Sequence, residues 1–138
     1  MTKDLRMGMT HRESRVFSQE EVDGFSALTG DHNFVHKAGQ PSYAPFDGPV
    51  VHGVLVMGAF SKVLGINLPG PGTVLLGLEV RFSSPLYVGQ EAVLSAKILE
   101  KHAEKPIYKV ETSCSVKDGE GERLVCTGLA TVLFKGAP

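Results

Sequence analysis

Asp31 and His36 stand five residues apart in the run Thr29-Gly30-Asp31-His32-Asn33-Phe34-Val35-His36. A carboxylate and an imidazole at that spacing, on a segment with neither a helical nor a strand period, can share one water or one proton, the equipment of general acid–base catalysis. The same residues admit a plainer reading, in which Asp31 and Asn33 form turns and His36 makes a structural hydrogen bond. The flanking elements position the pair. Upstream, Ser18-Gln19-Glu20-Glu21 has the pattern of a capping box, with Ser18 as N-cap and Glu21 reaching back from the third helical position. Val22, Phe25 and Leu28 then recur at helical spacing and Gly30 supplies the stop, so the pair follows directly on a helix end. Met7 to Phe17 reads as a strand before that helix. Lys37 to Gly48, with Pro41, Pro45 and two glycines, reads as a loop after it.

The most apolar stretch runs from Val50 to Leu68, with Val51, Val54, Leu55, Met57, Phe60, Val63, Leu64 and Ile66 between. Apolar residues on nearly every side suit a helix buried over most of its surface. Gly53, Gly58 and Gly65 within it permit close approach by other groups, and Pro69-Gly70-Pro71-Gly72 ends it. The period then changes to that of strands, at Thr73–Ser83, Glu91–Lys101, Ile107–Val116 and Leu124–Phe134. Tyr108, Val110, Thr112, Cys114 and Val116 share one face of the third, and Leu124, Cys126, Gly128, Ala130, Val132 and Phe134 share one face of the fourth. Turns at Glu104–Pro106 and Asp118–Gly121 make consecutive strands antiparallel neighbours. The expected architecture is α+β, one antiparallel sheet wrapped around one helix. Such a sheet leaves an edge open, and a second copy of the chain covers it most simply, so a homodimer is expected.

Composition bounds the partners. The 138 residues suffice for one domain with a single core, taken here as 1–138. Fourteen basic and fifteen acidic residues nearly cancel and form no basic run, which argues against a nucleic-acid partner. His52 and two glycines interrupt the apolar stretch Pro49–Phe60, so no membrane span is expected. The first fifteen residues mix Asp4 and Glu13 with basic groups and lack an apolar segment, unlike a secretory signal. A cytoplasmic protein is expected, or one of the mitochondrial matrix if the chain is a mature eukaryotic one. Cys114 and Cys126 have no CxxC spacing and fall on apolar strand faces, as buried thiols do. His32 and His36 lie four apart, but off any helix and without a third ligand at a recognisable spacing, so no metal is implied. The absence of GxGxxG and Walker patterns leaves no nucleotide cofactor to expect.

Several ordered segments together resemble the MaoC-like, (R)-specific enoyl-CoA hydratase family (hydratase 2), whose fold is the hot-dog. They are Phe25 to His36, Gly48-Pro49-Val50-Val51-His52-Gly53-Val54-Leu55, Phe60 to Gly65, Leu68 to Gly72, and Phe82-Ser83-Ser84-Pro85-Leu86-Tyr87-Val88-Gly89. The likeness spans residues 6 to 134. It extends to short bacterial hydratases that feed polyester synthesis and to the mitochondrial 3-hydroxyacyl-thioester dehydratase of fatty-acid synthesis. Two departures stand out: Phe34 occupies a position that is usually proline, and residues 37–46, often helical in the family, carry Gly39, Pro41 and Pro45.

The resemblance implies hydration of a trans-2-enoyl thioester of CoA or acyl carrier protein to the (R)-3-hydroxyacyl product, or the reverse dehydration, without a cofactor. Asp31 and His36 would hold and activate the water. An oxyanion on the thioester needs backbone donors, and the start of the apolar helix offers them, with Gly53 the residue that lets a carbonyl approach. The alternative for Gly53 is close helix–sheet packing. His52 is either a second acid–base group or a structural hydrogen-bonder. Asn33 would shape the excursion or bond Asp31. Ser61, two helical turns beyond Gly53, would help fix Asp31 or the water, or else bond its own backbone. Met57, Phe60 and Leu64 read as core. Two other functions stay open: a hot-dog thioesterase that directs water at the thioester carbonyl, and a non-catalytic acyl-thioester binding module.

Overall fold

The computed structural model describes residues 4–136. The local signals at the first helix form as their chemistry dictates. The Ser18 side chain accepts from the Glu21 N–H while Glu21 Oε1 accepts from the Ser18 N–H at 3.0 Å, so two N–H groups that the first turn cannot pair are satisfied. Helix α1 spans Gln19–Thr29, and Gly30 closes it at φ +82°, a conformation that glycine adopts without cost. Its inward residues are Val22 and Ser26, four apart. Leu28, assigned to that face by spacing, points outward and is 84% exposed.

Strand β1 is Thr10–Val16, β2 Val74–Phe82, β3 Glu91–Lys101, β4 Ile107–Asp118 and β5 Gly121–Leu133. They form one antiparallel sheet in the order β1-β3-β4-β5-β2, so β1 and β2 are its edges. The chain therefore crosses the sheet between β2 and β3, which are consecutive in sequence but not neighbours. Ala92, Leu94, Ala96 and Ile98 on β3, with Tyr108, Val110, Thr112, Cys114 and Val116 on β4, line the buried face as their alternation requires.

On β5 the alternation breaks. Cys114 pairs with Cys126 and Ser115 with Leu124, which leaves Val125 as an extra residue in a bulge. Val125 and Cys126 are both buried and Leu124 is 42% exposed, so Leu124 does not share the face of Cys126. Both cysteines are buried and free.

The apolar stretch is helical over a shorter range than its composition suggests. Val50 is held in a bridge to Tyr87, and Val51 donates to the Leu86 carbonyl at 2.8 Å. Helix α2 then begins at Gly53, runs to Lys62, and continues as a wider turn over Val63–Asn67. It lies on the buried face of the sheet through Val56, Phe60, Val63 and Leu64, each 1% exposed and each contributing about 1.5–3 kcal/mol by burial. The other side of α2 is open, with Val54 64% and Ile66 61% exposed. One sheet covers one face of a helix, so in the protomer the helix is buried on one side only.

Candidate active site

The excursion after α1 is built by its own polar side chains. Asp31 Oδ1 accepts from the Asn33 N–H at 3.2 Å, and Asn33 Oδ1 accepts from the Val35 N–H, starting a short 3₁₀ turn over Phe34–His36. Asn33 thus shapes the segment and ties it to Asp31. Phe34 is exposed at 54%. From the next segment, the Val50 N–H donates to the Val35 carbonyl at 2.9 Å, and Gln19 Nε2 on α1 donates to the His36 carbonyl at 2.9 Å. These bonds bring the excursion against the start of α2.

His36 is buried, and its Nδ1 lies 2.7 Å from the Val50 carbonyl oxygen. A carbonyl only accepts, so Nδ1 carries a proton, and the tautomer that acts as a base has its lone pair at Nε2. That nitrogen is 3.9 Å from Asp31 Oδ2, and the carboxylate is about half exposed. The gap is too long for a direct hydrogen bond and suits one water bonded to both groups.

His52 occupies the N-cap position of α2 without a side-chain capping bond, and its ring stacks on His36 with centroids 3.7 Å apart and planes 25° from parallel. Ser26 Oγ on α1 lies 3.0 Å from His52 Nε2, while Nδ1 is buried without a hydrogen-bond partner. Burial pushes the His52 pKa below the ordinary histidine value, and the neighbouring His36 pushes it further; the Asp31 carboxylate and backbone oppose this more weakly. His52 is therefore a neutral, buried hydrogen-bonding ring. Ser26 carries no spacing motif; its only signal in the sequence is a serine four residues after Val22, at an inward position.

Gly53 is the first residue of α2, where an N–H has no intrahelical acceptor, and among the described residues no group accepts from it. The helix dipole adds a partial positive charge there. A side chain would not fit: a Cβ on Gly53 would lie 2.9, 3.1 and 3.2 Å from the Phe82 ring. Beside Gly53 opens a mainly apolar cleft of about 490 Å³, lined by His36, Phe46, Val56, Phe82, Leu86 and Val125 among others. Its volume falls within the range of small-molecule sites. Phe82 opens one of the segments that carry the resemblance, but no spacing in the sequence marks it or Phe46 as cleft lining. Ser61 is not brought to the pair; it is exposed on α2 and makes no hydrogen bond to the excursion.

Ligand atoms of Asp31, His36 and His52 gather within 4.8 Å, a grouping hidden in the sequence because His52 is sixteen residues beyond His36. It fits a metal poorly. A cation in the plane of one imidazole falls well out of the plane of a ring stacked on it, and His36 Nδ1 is already committed to Val50.

A helix lying on one face of this five-stranded antiparallel sheet, with a carboxylate, an imidazole and an open helix N-terminus converging at its start, defines a hot-dog protein. The chain belongs to the MaoC-like family, whose model, a MaoC like domain, matches residues 2–120. It is 35% identical over 133 residues to an (R)-specific enoyl-CoA hydratase of Aeromonas caviae, covering 94% of this chain and 96% of that protein. A solved structure of the A. caviae (R)-hydratase involved in PHA biosynthesis superposes with a TM-score of 0.85 at 34% identity, over 94% of this chain and 97% of that one. A mitochondrial 3-hydroxyacyl-[acyl-carrier-protein] dehydratase of Arabidopsis thaliana is 31% identical, over 94% of this chain and 78% of that protein.

Proposed function

We propose that this protein is a hydro-lyase that adds water to trans-2-enoyl thioesters to give (R)-3-hydroxyacyl thioesters, and catalyses the reverse dehydration. The observation that carries this reading is the 3.9 Å gap between His36 Nε2 and Asp31 Oδ2, at the edge of an apolar cleft that also contains Gly53. A water in that gap gives up a proton to the pair as its oxygen bonds to C3 of the enoyl group. Negative charge then moves to the thioester oxygen, where the Gly53 N–H and the N-terminus of α2 stabilise it. The pair returns a proton to C2, so the catalyst is unchanged. Dehydration runs through the same steps backwards: the pair removes the C2 proton and protonates the departing hydroxyl.

The acyl group arrives on CoA or on an acyl carrier protein, the two carriers named among the relatives. The working unit is a homodimer of single-domain chains. Supporting this, Val74, Leu75 and Leu76 on edge strand β2 are 42–52% exposed, as are Val54 and Ile66 on the open side of α2 to a greater extent. No helix of the described residues is long and apolar enough to cross a membrane. Two free buried cysteines suit a reducing compartment, the cytoplasm or the mitochondrial matrix.

The test is product analysis after incubation with crotonyl-CoA. The expected product is (R)-3-hydroxybutyryl-CoA with no free thiol released. Release of CoA thiol without a hydroxyacyl product would make the protein a thioesterase, and an unchanged substrate pool, with carrier-linked and longer enoyl substrates also unchanged, would make it a binding module.

A further inference from the structure

We propose that Ser26 is a positioning residue for this reaction, acting through His52 to fix the plane of the His36 imidazole; the inference rests on the hydratase reading above. A hydroxyl facing inward from a helix needs a polar partner. Ser26 is 4% exposed and finds it in His52 Nε2 at 3.0 Å. His52 is 2% exposed and lies against two rings, Phe25 at 4.7 Å and His36 at 3.7 Å. A histidine ring turns readily about its Cβ–Cγ bond, which tilts its plane; a hydrogen bond at one nitrogen opposes that turn. Nδ1 makes none, so the hold is on the Nε2 side.

The contact holds the ring in either tautomer: Ser26 Oγ accepts from an Nε2–H or donates its own proton to an Nε2 lone pair.

The consequence falls on His36. Its Nδ1 is held by the Val50 carbonyl, and a turn about Cβ–Cγ that would strain that bond and tilt the ring is blocked by the flat face of His52. A tilt of about 20° would move the aim of the Nε2 lone pair by about 1 Å at hydrogen-bonding distance. A misplacement of that size in a reacting group can cost about 100-fold. Ser26 touches neither substrate nor the water, so its role is positional.

The experiment compares two variants of nearly equal shape, Ser26→Thr and Ser26→Val, which differ only in a hydroxyl against a methyl. Crotonyl-CoA hydration and thermal melting are measured for both. The expected result is a Thr variant within about threefold of native kcat, and a Val variant about tenfold or more slower with KM within about twofold. Long-range proton–nitrogen NMR of the imidazoles gives a second readout, independent of turnover. Ser26→Val should disturb the signals of both His52 and His36, and Ser26→Thr should leave them near native. Equal kcat for the two variants, or His52 and His36 signals left unchanged by Ser26→Val, would overturn the proposal. An inactive native protein would overturn the hydratase reading and the catalytic half of this one, and the NMR comparison would still judge the Ser26–His52–His36 coupling.

Discussion

Replacing Gly53 with alanine puts a single methyl group where the account places the oxyanion. The ring atoms of Phe82 would lie 2.9, 3.1 and 3.2 Å from that methyl carbon. Ordinary carbon contacts are about 3.5–4.0 Å, so the ring must give way by roughly 0.5–1 Å. Phe82 ends edge strand β2 and is 47% exposed, which leaves it room to swing outward. The stability cost should then lie near the low end of the roughly 1–3 kcal/mol typical of overpacking. For a chain of this size that is a fall of about 3–5 °C in Tm. The catalytic cost is larger, because the methyl and the displaced ring both enter the space through which a carbonyl reaches the Gly53 N–H. Loss of one oxyanion donor costs about 10²–10³ in kcat. Initial rates on crotonyl-CoA and a thermal melt measure the two effects separately. Adding Phe82→Leu should restore Tm but not the rate; restored rate would put the cost in the displaced ring. A Gly53→Ala protein with kcat/KM within about threefold of native would refute the reasoning and remove Gly53 from the oxyanion site.

Three further outcomes follow from the same geometry. Burial, and then His36, hold the His52 pKa below the ordinary histidine value, so the unfolded chain binds a proton that the folded one refuses. Stability should fall as pH drops through the ordinary histidine range, and a melting series from about pH 7.5 to about 5.5 should be flatter for His52→Gln; an equal slope would exclude His52 as the source. The apolar edge predicts a dimer by sedimentation at micromolar concentration, converted to monomer by Leu76→Lys, and a native monomer would contradict it. Because the stacked rings of His36 and His52 fit a cation poorly, treatment with a chelator should leave turnover unchanged, and activity lost to the chelator and restored by a metal would contradict this.

Features set by near neighbours in the chain were legible in advance. The capping box of Ser18 and Glu21, the left-handed stop at Gly30 and the alternation along β3 and β4 all depend on residues within a few positions. Asp31 and His36 stand out by residue type and spacing within their own run; the structure puts Nε2 3.9 Å from Oδ2, and His36 shares a cleft with Gly53. What escaped depends on distant partners. The bulge at Val125 arises from the pairing of β5 with β4, and it turns Leu124 off the face that alternation assigns it. Helix α2 starts three residues late because Val50 is drawn into a bridge with Tyr87 from the segment after β2. Ser26 and His52 meet only when α1 packs beside the start of α2, so neither spacing nor composition announces their contact. Ser61 was assigned by helical periodicity alone, which gives a face but not what that face meets.

The most direct test of the central claim is a double-mutant cycle on crotonyl-CoA hydration with Asp31→Asn, His36→Ala and the pair together. If the two groups share one water, each single change should lower kcat by two or more orders of magnitude, and the double variant should be little slower than the worse single one. Either single variant retaining kcat within about tenfold of native, in a protein that still melts cooperatively, would contradict the assignment of this pair as the catalytic centre.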